Sequence, residues 1–201
     1  NTIPDEVRDT LLYFVVDGQL LGKVRPTFAE RLVQINNSPF CIVSATNNDN
    51  EGTLTLSQNV GKTCEERTAA IKSAIQTLAN EQVISGWRNE LLPVSNGFYD
   101  DPTFLIERAA APYLGIQQYA VHINGFVRVK AEGGGNEEVI KVWMARRSRS
   151  KSKYPGMLDH MVAGAQPFGI SITENVIKEC GEEAGIPIDI AQTAKSVGII
   201  Q

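Results

Sequence analysis

The 201-residue sequence is poor in the two residue types that most often build disulfide or metal frameworks, with three cysteines and two histidines. Cys41, Cys64 and Cys180 are too widely separated for the paired spacing of a structural zinc site, and their odd number argues against a disulfide framework. We therefore expect reduced, buried thiols in an intracellular protein. His122 and His160 are too few for a histidine-rich metal site.

The sequence also lacks a long apolar run and a strong excess of charge. Its apolar runs are short, as at 13–16, and none approaches the ~20 residues that cross a bilayer, so we expect no membrane partner. The 19 basic and 23 acidic residues give a net charge of -4, which disfavours a dedicated nucleic-acid binder. Few cysteines and a start at Asn1 rather than Met fit a protein of the cytoplasm or one imported into the chloroplast.

The first half of the sequence has the patterns of a small α/β domain. Strands are expected at 12–16, 19–24, 40–45 and 53–56, and Asp17-Gly18 predicts a hairpin turn between the first two. Helices are expected at 28–35 and at 64–82, where Thr63 and Glu66 match a capping box. A helical turn is expected at 104–111. These elements predict an N-terminal domain at 1–113 and a second domain at 114–201.

The second half begins with strand patterns and ends in a helix. Strands are expected at 119–129, 139–146 and 157–162, with a turn at 133–136. Ser171 and Glu174 form another capping box, which predicts a helix from about residue 172. Gly185 is placed for a left-handed C-cap. Trp87 and Trp143 are expected in the core.

Three glutamates on one side of this last helix give the sequence its chemical signal. Glu179, Glu182 and Glu183 stand at i, i+3 and i+4, where like charges repel unless a counter-charge lies close. Clustered oxygen ligands suit Mg²⁺ or Mn²⁺, and such ions also bind substrate phosphates. A cluster of this kind is more often a solvated face, but here a glycine-containing loop from Gly164 to Gly169 leads directly into the helix.

This loop, the acidic helix and the glycine stop together resemble the Nudix box. The family pattern is Gly, five residues, Glu, seven residues, Arg-Glu, an aliphatic residue, any residue, Glu-Glu, any residue, Gly and an aliphatic residue. The sequence has Gly164 at the start and Lys-Glu-Cys-Gly-Glu-Glu-Ala-Gly-Ile at 178–186. It departs from the pattern at Ile170, in place of the first Glu, and at Lys178, in place of the Arg. In the family those two positions form a supporting ion pair and do not bind the metal.

Other stretches resemble one branch of this family, the thiamin-pyrophosphokinase-related Nudix hydrolases of fungi, plants and algae. They lie at 87–95, 107–115, 121–125, 153–164 and 174–180. The resemblance implies an α/β fold with a small N-terminal α/β domain followed by a Nudix α/β/α sandwich. A Nudix sandwich continues for several strands past the box helix. We therefore expect the natural protein to continue past Gln201, with the C-terminal strands of the sandwich missing from this chain.

The resemblance also implies an activity, the metal-dependent cleavage of a diphosphate anhydride. The implied substrate is thiamin diphosphate or its oxidised derivatives, cut to the monophosphate with Mg²⁺ or Mn²⁺ as cofactor. Glu179, Glu182 and Glu183, with a backbone carbonyl such as that of Gly164, are the implied metal ligands. Glu179 and Glu182 are the implied catalytic residues, and the identity of the general base stays open.

Five basic residues between 146 and 153 allow three interpretations: a solvated loop, a phosphate-binding strip or a nucleic-acid patch. The solvated loop is favoured. Lys151 and Lys153 from this run, with Arg108, are candidates for substrate binding, although an ion pair is the favoured interpretation of Arg108. His160, beside Asp159, is expected to have a structural role.

Two other functions remain open. The chain fits a Nudix hydrolase of nucleotide diphosphates or capped RNA, or a catalytically inert Nudix-fold subunit of a larger assembly. The expected partner is a small-molecule diphosphate rather than nucleic acid or a membrane, and a homodimer is left open.

Overall fold

The computed structural model describes residues 11–43, 52–131, 138–150 and 154–200. The chain divides into two compact units, Asn1–Gln118 and Tyr119–Gln201. Strands and helices are mixed in both units, which is consistent with the predicted α/β class. The predicted turn at 133–136, the end of the strand predicted at 40–45, and Lys151 and Lys153 lie outside the described residues.

Within residues 11–43 and 52–118, the first unit contains a four-stranded sheet, a separate strand pair and two α-helices. Its elements in chain order are β1 (Leu12–Val16), β2 (Gln19–Val24), α1 (Pro26–Val33), β3 (Phe40–Val43), β4 (Thr53–Leu56), α2 (Cys64–Asn80), β5 (Leu91–Val94), β6 (Phe104–Glu107) and a 3₁₀ turn (Ala111–Leu114). The sheet order is β2-β1-β4-β3, with β1 and β4 parallel and the other neighbours antiparallel. Strands β5 and β6 form a separate antiparallel pair, and α2 packs against β6.

Local sequence signals account for two of these features. Asp17 and Gly18 join β1 to β2 with φ values of 50° and 78°, the left-handed conformation that a two-residue type I′ turn requires at both positions. Thr63 and Glu66 exchange both hydrogen bonds of the capping box at the start of α2. Both predictions are confirmed.

The core of the first unit is built around aromatic rings. Phe14 on β1 is fully buried, and its ring centroid lies 6.0 Å from those of both Phe40 and Phe104. Helix α2 adds the buried side chains of Ile71, Ala74, Ile75 and Leu78 to the same core. Burial of these large apolar surfaces is the main term that holds the unit together.

The helical turn predicted at 104–111 is wrong. Residues Phe104–Glu107 form strand β6, which pairs with β5 in the register Leu92 to Ile106. The side chains of Phe104 and Ile106 lie two residues apart on one buried face, which is the periodicity of a strand. Pro93 in β5 lacks an N–H donor and is tolerated because β5 has a hydrogen-bonded neighbour on one side only.

The described residues of the second unit form short strand pairs, one long helix and one short helix. Its elements are β7 (Ala120–Ile123), β8 (Phe126–Lys130), β9 (Glu138–Val142), β10 (Ala145–Arg146), β11 (Leu158–Asp159), β12 (Val162–Ala165), α3 (Ile172–Ala184) and α4 (Ile188–Ala191). Antiparallel pairs join β7 to β12, β8 to β9 and β10 to β11. Helix α3 packs against β12 and β7.

The strands predicted for this unit are shorter than expected. The strand predicted at 119–129 breaks at Asn124-Gly125, where a Cβ on Gly125 would overlap the Met161 side chain. The strands predicted at 139–146 and 157–162 each divide into two. Trp143, expected in the core, lies between β9 and β10 with 63% of its surface exposed.

The buried core of the second unit is small in the part of the chain that the structure describes. It comprises Val162, Cys180 and Ala191, with partly buried apolar side chains around them. The β8–β9 hairpin instead exposes Phe126, Ile140 and other apolar residues. Among the described residues, no helix is both long enough and apolar enough to span a membrane.

We predict that Phe14→Ala lowers the free energy of unfolding of the first unit by about 3–5 kcal/mol, because the variant loses a buried ring and leaves a cavity. Tyr99→Ala is the control, since Tyr99 is 90% exposed, and its expected effect is below about 1 kcal/mol. Urea unfolding in a Trp143→Phe background, followed by the fluorescence of Trp87, which packs against this core, measures both changes. Similar losses in the two variants would contradict the assignment of Phe14 to the core.

Candidate functional site

Helix α3 begins and ends where the sequence predicts. The Ser171 hydroxyl accepts a hydrogen bond from the Glu174 backbone N–H, and the Glu174 carboxylate accepts one from the Ser171 N–H at 2.7 Å. At the other end Gly185 adopts the left-handed conformation, with φ of 61°. The Ile186 N–H then donates to the carbonyl of Cys180. These caps fix both ends of the segment that carries the glutamates.

One side of α3 is buried against the strands and fixes the rotation of the helix. Cys180 is buried there, with Val176 and Ile177 packed beside it. Burial raises the pKa of the Cys180 thiol, so the residue stays protonated at neutral pH. Cys180 therefore serves as a small apolar residue, as the sequence indicates.

Two of the glutamates contact the backbone of β12. The Ala163 N–H donates a hydrogen bond to Glu183 Oε2 at 3.1 Å. Gly164 lies against Glu179 so closely that a Cβ at this position would overlap the glutamate side chain. The absence of a side chain at Gly164 therefore creates the space that the Glu179 carboxylate occupies.

Lys178 supplies the counter-charge that the glutamates need. Its Nζ lies 2.8 Å from Glu179 Oε1 and 3.1 Å from Glu182 Oε2. The hydrogen bond to Glu179 raises the pKa of the Lys178 ammonium, which is therefore charged at neutral pH. Glu179 is 12% exposed and Glu182 62% exposed, so the first carboxylate is sheltered and the second faces solvent.

Glu179 and Glu183 contact β12 while Glu182 faces solvent, and the three carboxylates do not converge on one point. Within residues 11–43, 52–131, 138–150 and 154–200, no three His, Cys, Asp or Glu side chains are close enough together to hold a metal ion. The donor chemistry nevertheless fits a hard divalent cation, since carboxylate and carbonyl oxygens are the ligands that Mg²⁺ prefers. The space at Gly164 fits as well, because the Glu179 carboxylate lies where a side chain at position 164 would otherwise stand.

The loop before α3 is braced by two amide side chains that the sequence analysis missed. Gln166 Nε2 donates to the Ile170 carbonyl at 2.8 Å. Asn175 Nδ2 donates to the Ala165 carbonyl at 2.9 Å and to Gln166 Oε1 at 3.1 Å. Asn175 is fully buried. The sequence signal that could have indicated this role is an amide residue on the apolar side of a predicted helix, because a buried amide needs hydrogen-bond partners. These hydrogen bonds hold the loop at the point where Ile170 removes the charged partner of the family pattern.

The two histidines lie together beside the β10–β11 pair. The rings of His122 and His160 are 4.6 Å apart in an edge-on arrangement. The His160 backbone N–H donates to Asp159 Oδ1 at 2.9 Å, and its ring Nδ1 lies 3.2 Å from Asn124 Oδ1. These contacts are consistent with the structural role expected of His160.

The basic candidates for substrate binding are distributed over both units. Arg108 belongs to the first unit, where its Nη1 lies 2.8 Å from Glu90 Oε2, so the favoured ion-pair interpretation agrees with the structure. In the basic run, Arg146 donates to the Gly156 carbonyl at 2.8 Å and Arg147 pairs with Asp159 at 3.1 Å. Lys151 and Lys153 lie outside the described residues.

A comparison with known protein families divides the chain at the same point as its two compact units. Residues 1–118 match the family model described as "Domain of unknown function (DUF4743)". That range covers the first compact unit. The match therefore concerns the part of the chain that does not contain Glu179, Glu182 and Glu183.

Three curated relatives extend the comparison. The chain is 42% identical over 187 residues to "Nudix hydrolase 24, chloroplastic" of Arabidopsis thaliana, which is 93% of this chain and 47% of that protein. It is 42% identical over 192 residues to "Nudix hydrolase 20, chloroplastic" of the same plant, 93% of this chain and 48% of the relative. An uncharacterized protein of Saccharomyces cerevisiae, YJR142W, is 39% identical over 103 residues, 51% of this chain and 28% of that protein. The chain thus spans about half the length of the two plant proteins, whose names support the Nudix interpretation.

We predict a pH-dependent role for the Glu174 cap. Hydrogen bonds from Ser171 lower the pKa of Glu174 below its ordinary value of 4.5. Its charged form therefore stabilises α3 above that value, and the contribution is lost as the pH falls through the lowered pKa. Glu174→Gln keeps an acceptor for the Ser171 N–H but loses the charge near the helix N-terminus.

The variant is thus expected to melt below the wild type at pH 7, and the two melting temperatures should converge as the pH falls through the lowered pKa of Glu174. Thermal unfolding followed by circular dichroism at pH 7 and at a series of lower pH values measures this. A difference that stays constant between them would contradict the role of the charge.

Proposed function

The chain belongs to the family described as domain of unknown function DUF4743, and from this and the names of its relatives we propose that it acts as a metal-dependent Nudix pyrophosphohydrolase. The proposed substrate is thiamin diphosphate or an oxidised derivative, cleaved to the monophosphate. Since both plant relatives are named chloroplastic, we propose the chloroplast as its location.

The observation that carries the proposal is the contact between α3 and β12. Glu183 accepts the Ala163 N–H, and Glu179 fills the space left by Gly164. Helix α3 thus holds two carboxylates against the backbone of β12, which supports the interpretation of this segment as a Nudix box. Among the described residues Lys178 offsets the charge of Glu179 and Glu182 only, so the negative charge of Glu183 favours the binding of a cation.

Glu179, Glu182 and Glu183, with the Gly164 carbonyl, are the residues that would hold Mg²⁺ or Mn²⁺. When bound, such an ion neutralises diphosphate oxygens and activates water. The protein's own contribution is to orient the ligands: the Ala163 N–H fixes Glu183, and the packing against Gly164 fixes Glu179. Lys178 forms ion pairs with two of these carboxylates, those of Glu179 and Glu182, and these ion pairs must break when a cation binds.

We predict that Glu183→Gln lowers phosphate release from thiamin diphosphate by about 10²-fold or more, because a charged group of the site is lost. The amide oxygen of Gln can still accept the Ala163 N–H, so the fold should be kept. Glu174→Gln is the matched control, since it makes the same chemical change on the same helix at the cap. Colorimetric measurement of phosphate with added Mg²⁺, on thiamin diphosphate and its oxidised derivatives, gives the rates.

The results separate the possible functions. Turnover of thiamin compounds that is lost in Glu183→Gln but kept in Glu174→Gln supports both the site and the substrate. Turnover on nucleotide diphosphates or capped RNA, but not on thiamin compounds, would keep the site and reject the substrate. No turnover on either, with no metal binding, would favour a catalytically inert subunit.

Lys178→Met tests the counter-charge by a measurement other than activity. Removal of the ion pairs of Lys178 with Glu179 and Glu182, which compete with the metal, is expected to tighten Mn²⁺ binding roughly two- to tenfold. Titration followed by the paramagnetic resonance signal of free Mn²⁺ measures the change, with Glu183→Gln expected to weaken binding. Unchanged Mn²⁺ affinity in Lys178→Met would show that Lys178 does not compete at the metal site.

A further inference from the structure

A second candidate site lies in the first unit and is independent of the glutamates on α3. A cavity of about 150 Å³ opens between α2, the segment before β5 and strand β6. Its apolar wall includes Ile71 and Leu105, and the Trp87 indole also lines it. A cavity of this size can admit one benzene-sized ring.

The Trp87 indole is held in place before any ligand arrives. Its Nε1–H donates to Asn89 Oδ1 at 2.9 Å, and Asn89 adopts a left-handed backbone conformation with φ of 57°. The Arg88 N–H between them donates to Glu107 Oε1 at 2.9 Å. A fixed aromatic wall favours binding because little side-chain entropy is lost when the ring is covered.

Glu107 is the most informative residue of the cavity. It lines the cavity with a relative exposure of 5%, and Oε1 accepts the N–H groups of Arg88 and Ala109. The other oxygen, Oε2, has no hydrogen-bond partner among the residues that the structure describes. Oε2 is also accessible to solvent. Among the described residues, Asn175 Oδ1 is the buried side-chain atom that lacks a hydrogen-bond partner, so Oε2, which lacks one too, is not buried. A nearly buried carboxylate with an unused, accessible oxygen presents an acceptor to a ligand.

Lys72 on α2 lines the same cavity and supplies a hydrogen-bond donor, whereas Glu107 supplies an acceptor. Its ammonium makes no ion pair or hydrogen bond among the described residues. The cavity therefore offers one acceptor, one donor and an aromatic wall around a space for a single ring. A ring that carries an amino group and a ring nitrogen can satisfy both polar groups.

We propose that this cavity binds a monocyclic nitrogen heterocycle with an amino substituent. The amino group donates to Glu107 Oε2, the ring nitrogen accepts from Lys72, and the ring packs beside Trp87. The first unit, which matches a domain of unknown function, is on this view a small-molecule binding domain. The proposal does not depend on the activity of the second unit.

The test compares 2-aminopyridine with 2-methylpyridine, a ligand of the same shape without the donor. The Trp143→Phe background leaves Trp87 as the sole tryptophan, so the ¹⁵N–¹H spectrum contains one indole signal. Titration at pH 8 is expected to shift that signal saturably with 2-aminopyridine, at a dissociation constant of roughly 1 mM for so small a ligand. Binding of 2-methylpyridine is expected to be at least about tenfold weaker.

Two variants assign the contacts. Glu107→Gln can keep the acceptor for the Arg88 N–H while it replaces Oε2 by a donor. It should weaken 2-aminopyridine binding about tenfold and leave 2-methylpyridine binding unchanged. Lys72→Met removes the donor from an exposed position and should also weaken 2-aminopyridine binding, by roughly threefold.

Four results would overturn the proposal: no saturable shift of the indole signal, equal affinity for the two ligands, wild-type affinity in Glu107→Gln, or wild-type affinity in Lys72→Met. If Glu107→Gln does not give the spectrum of a folded protein, Lys72→Met decides alone, because its side chain is exposed and its loss does not disturb the core.

Discussion

The arrangement of the second unit depends on one contact, the approach of helix α3 to the backbone of β12. Glu183 accepts a hydrogen bond from the Ala163 N–H and Glu179 lies where Gly164 has no side chain. A side chain larger than hydrogen at position 164 would overlap the Glu179 side chain and displace that carboxylate from its place against the strand. The capping box at Ser171 and the left-handed Gly185 serve the same contact, because they fix where the helix begins and ends.

The departures from the Nudix pattern have a common physical consequence. Ile170 carries no charge, so it cannot form the ion pair of the family pattern with Lys178. The Lys178 ammonium instead forms ion pairs with Glu179 and Glu182. The task of holding the loop passes to neutral amides, with Asn175 and Gln166 bonded to loop carbonyls and to each other. A buried amide network of this kind is insensitive to salt, whereas an ion pair is screened.

Much of the fold could be predicted from local sequence signals. The Asp17-Gly18 hairpin and the two capping boxes depend on residues only a few positions apart, and all three occur as predicted. The errors have long-range causes. Strand β6 exists because it pairs with β5, ten to sixteen positions earlier, and the sequence of a short run such as 104–107 does not show which strand it pairs with. Likewise, spacing placed the glutamates on one helical side, but the contacts of Lys178 and the brace at Asn175 depend on loop geometry that spacing does not encode.

The unequal cores of the two units have a consequence for local motion. The first unit buries large side chains such as Phe14, Leu54 and Phe104, while the described core of the second comprises Val162, Cys180 and Ala191. Backbone amides of α2 and β1 should therefore exchange hydrogen with solvent only when the first unit unfolds as a whole. Amides of the β8–β9 hairpin, whose apolar side chains face water, should exchange through small local openings. The slowly exchanging amides of the protein are thus concentrated in the unit that does not carry the glutamates.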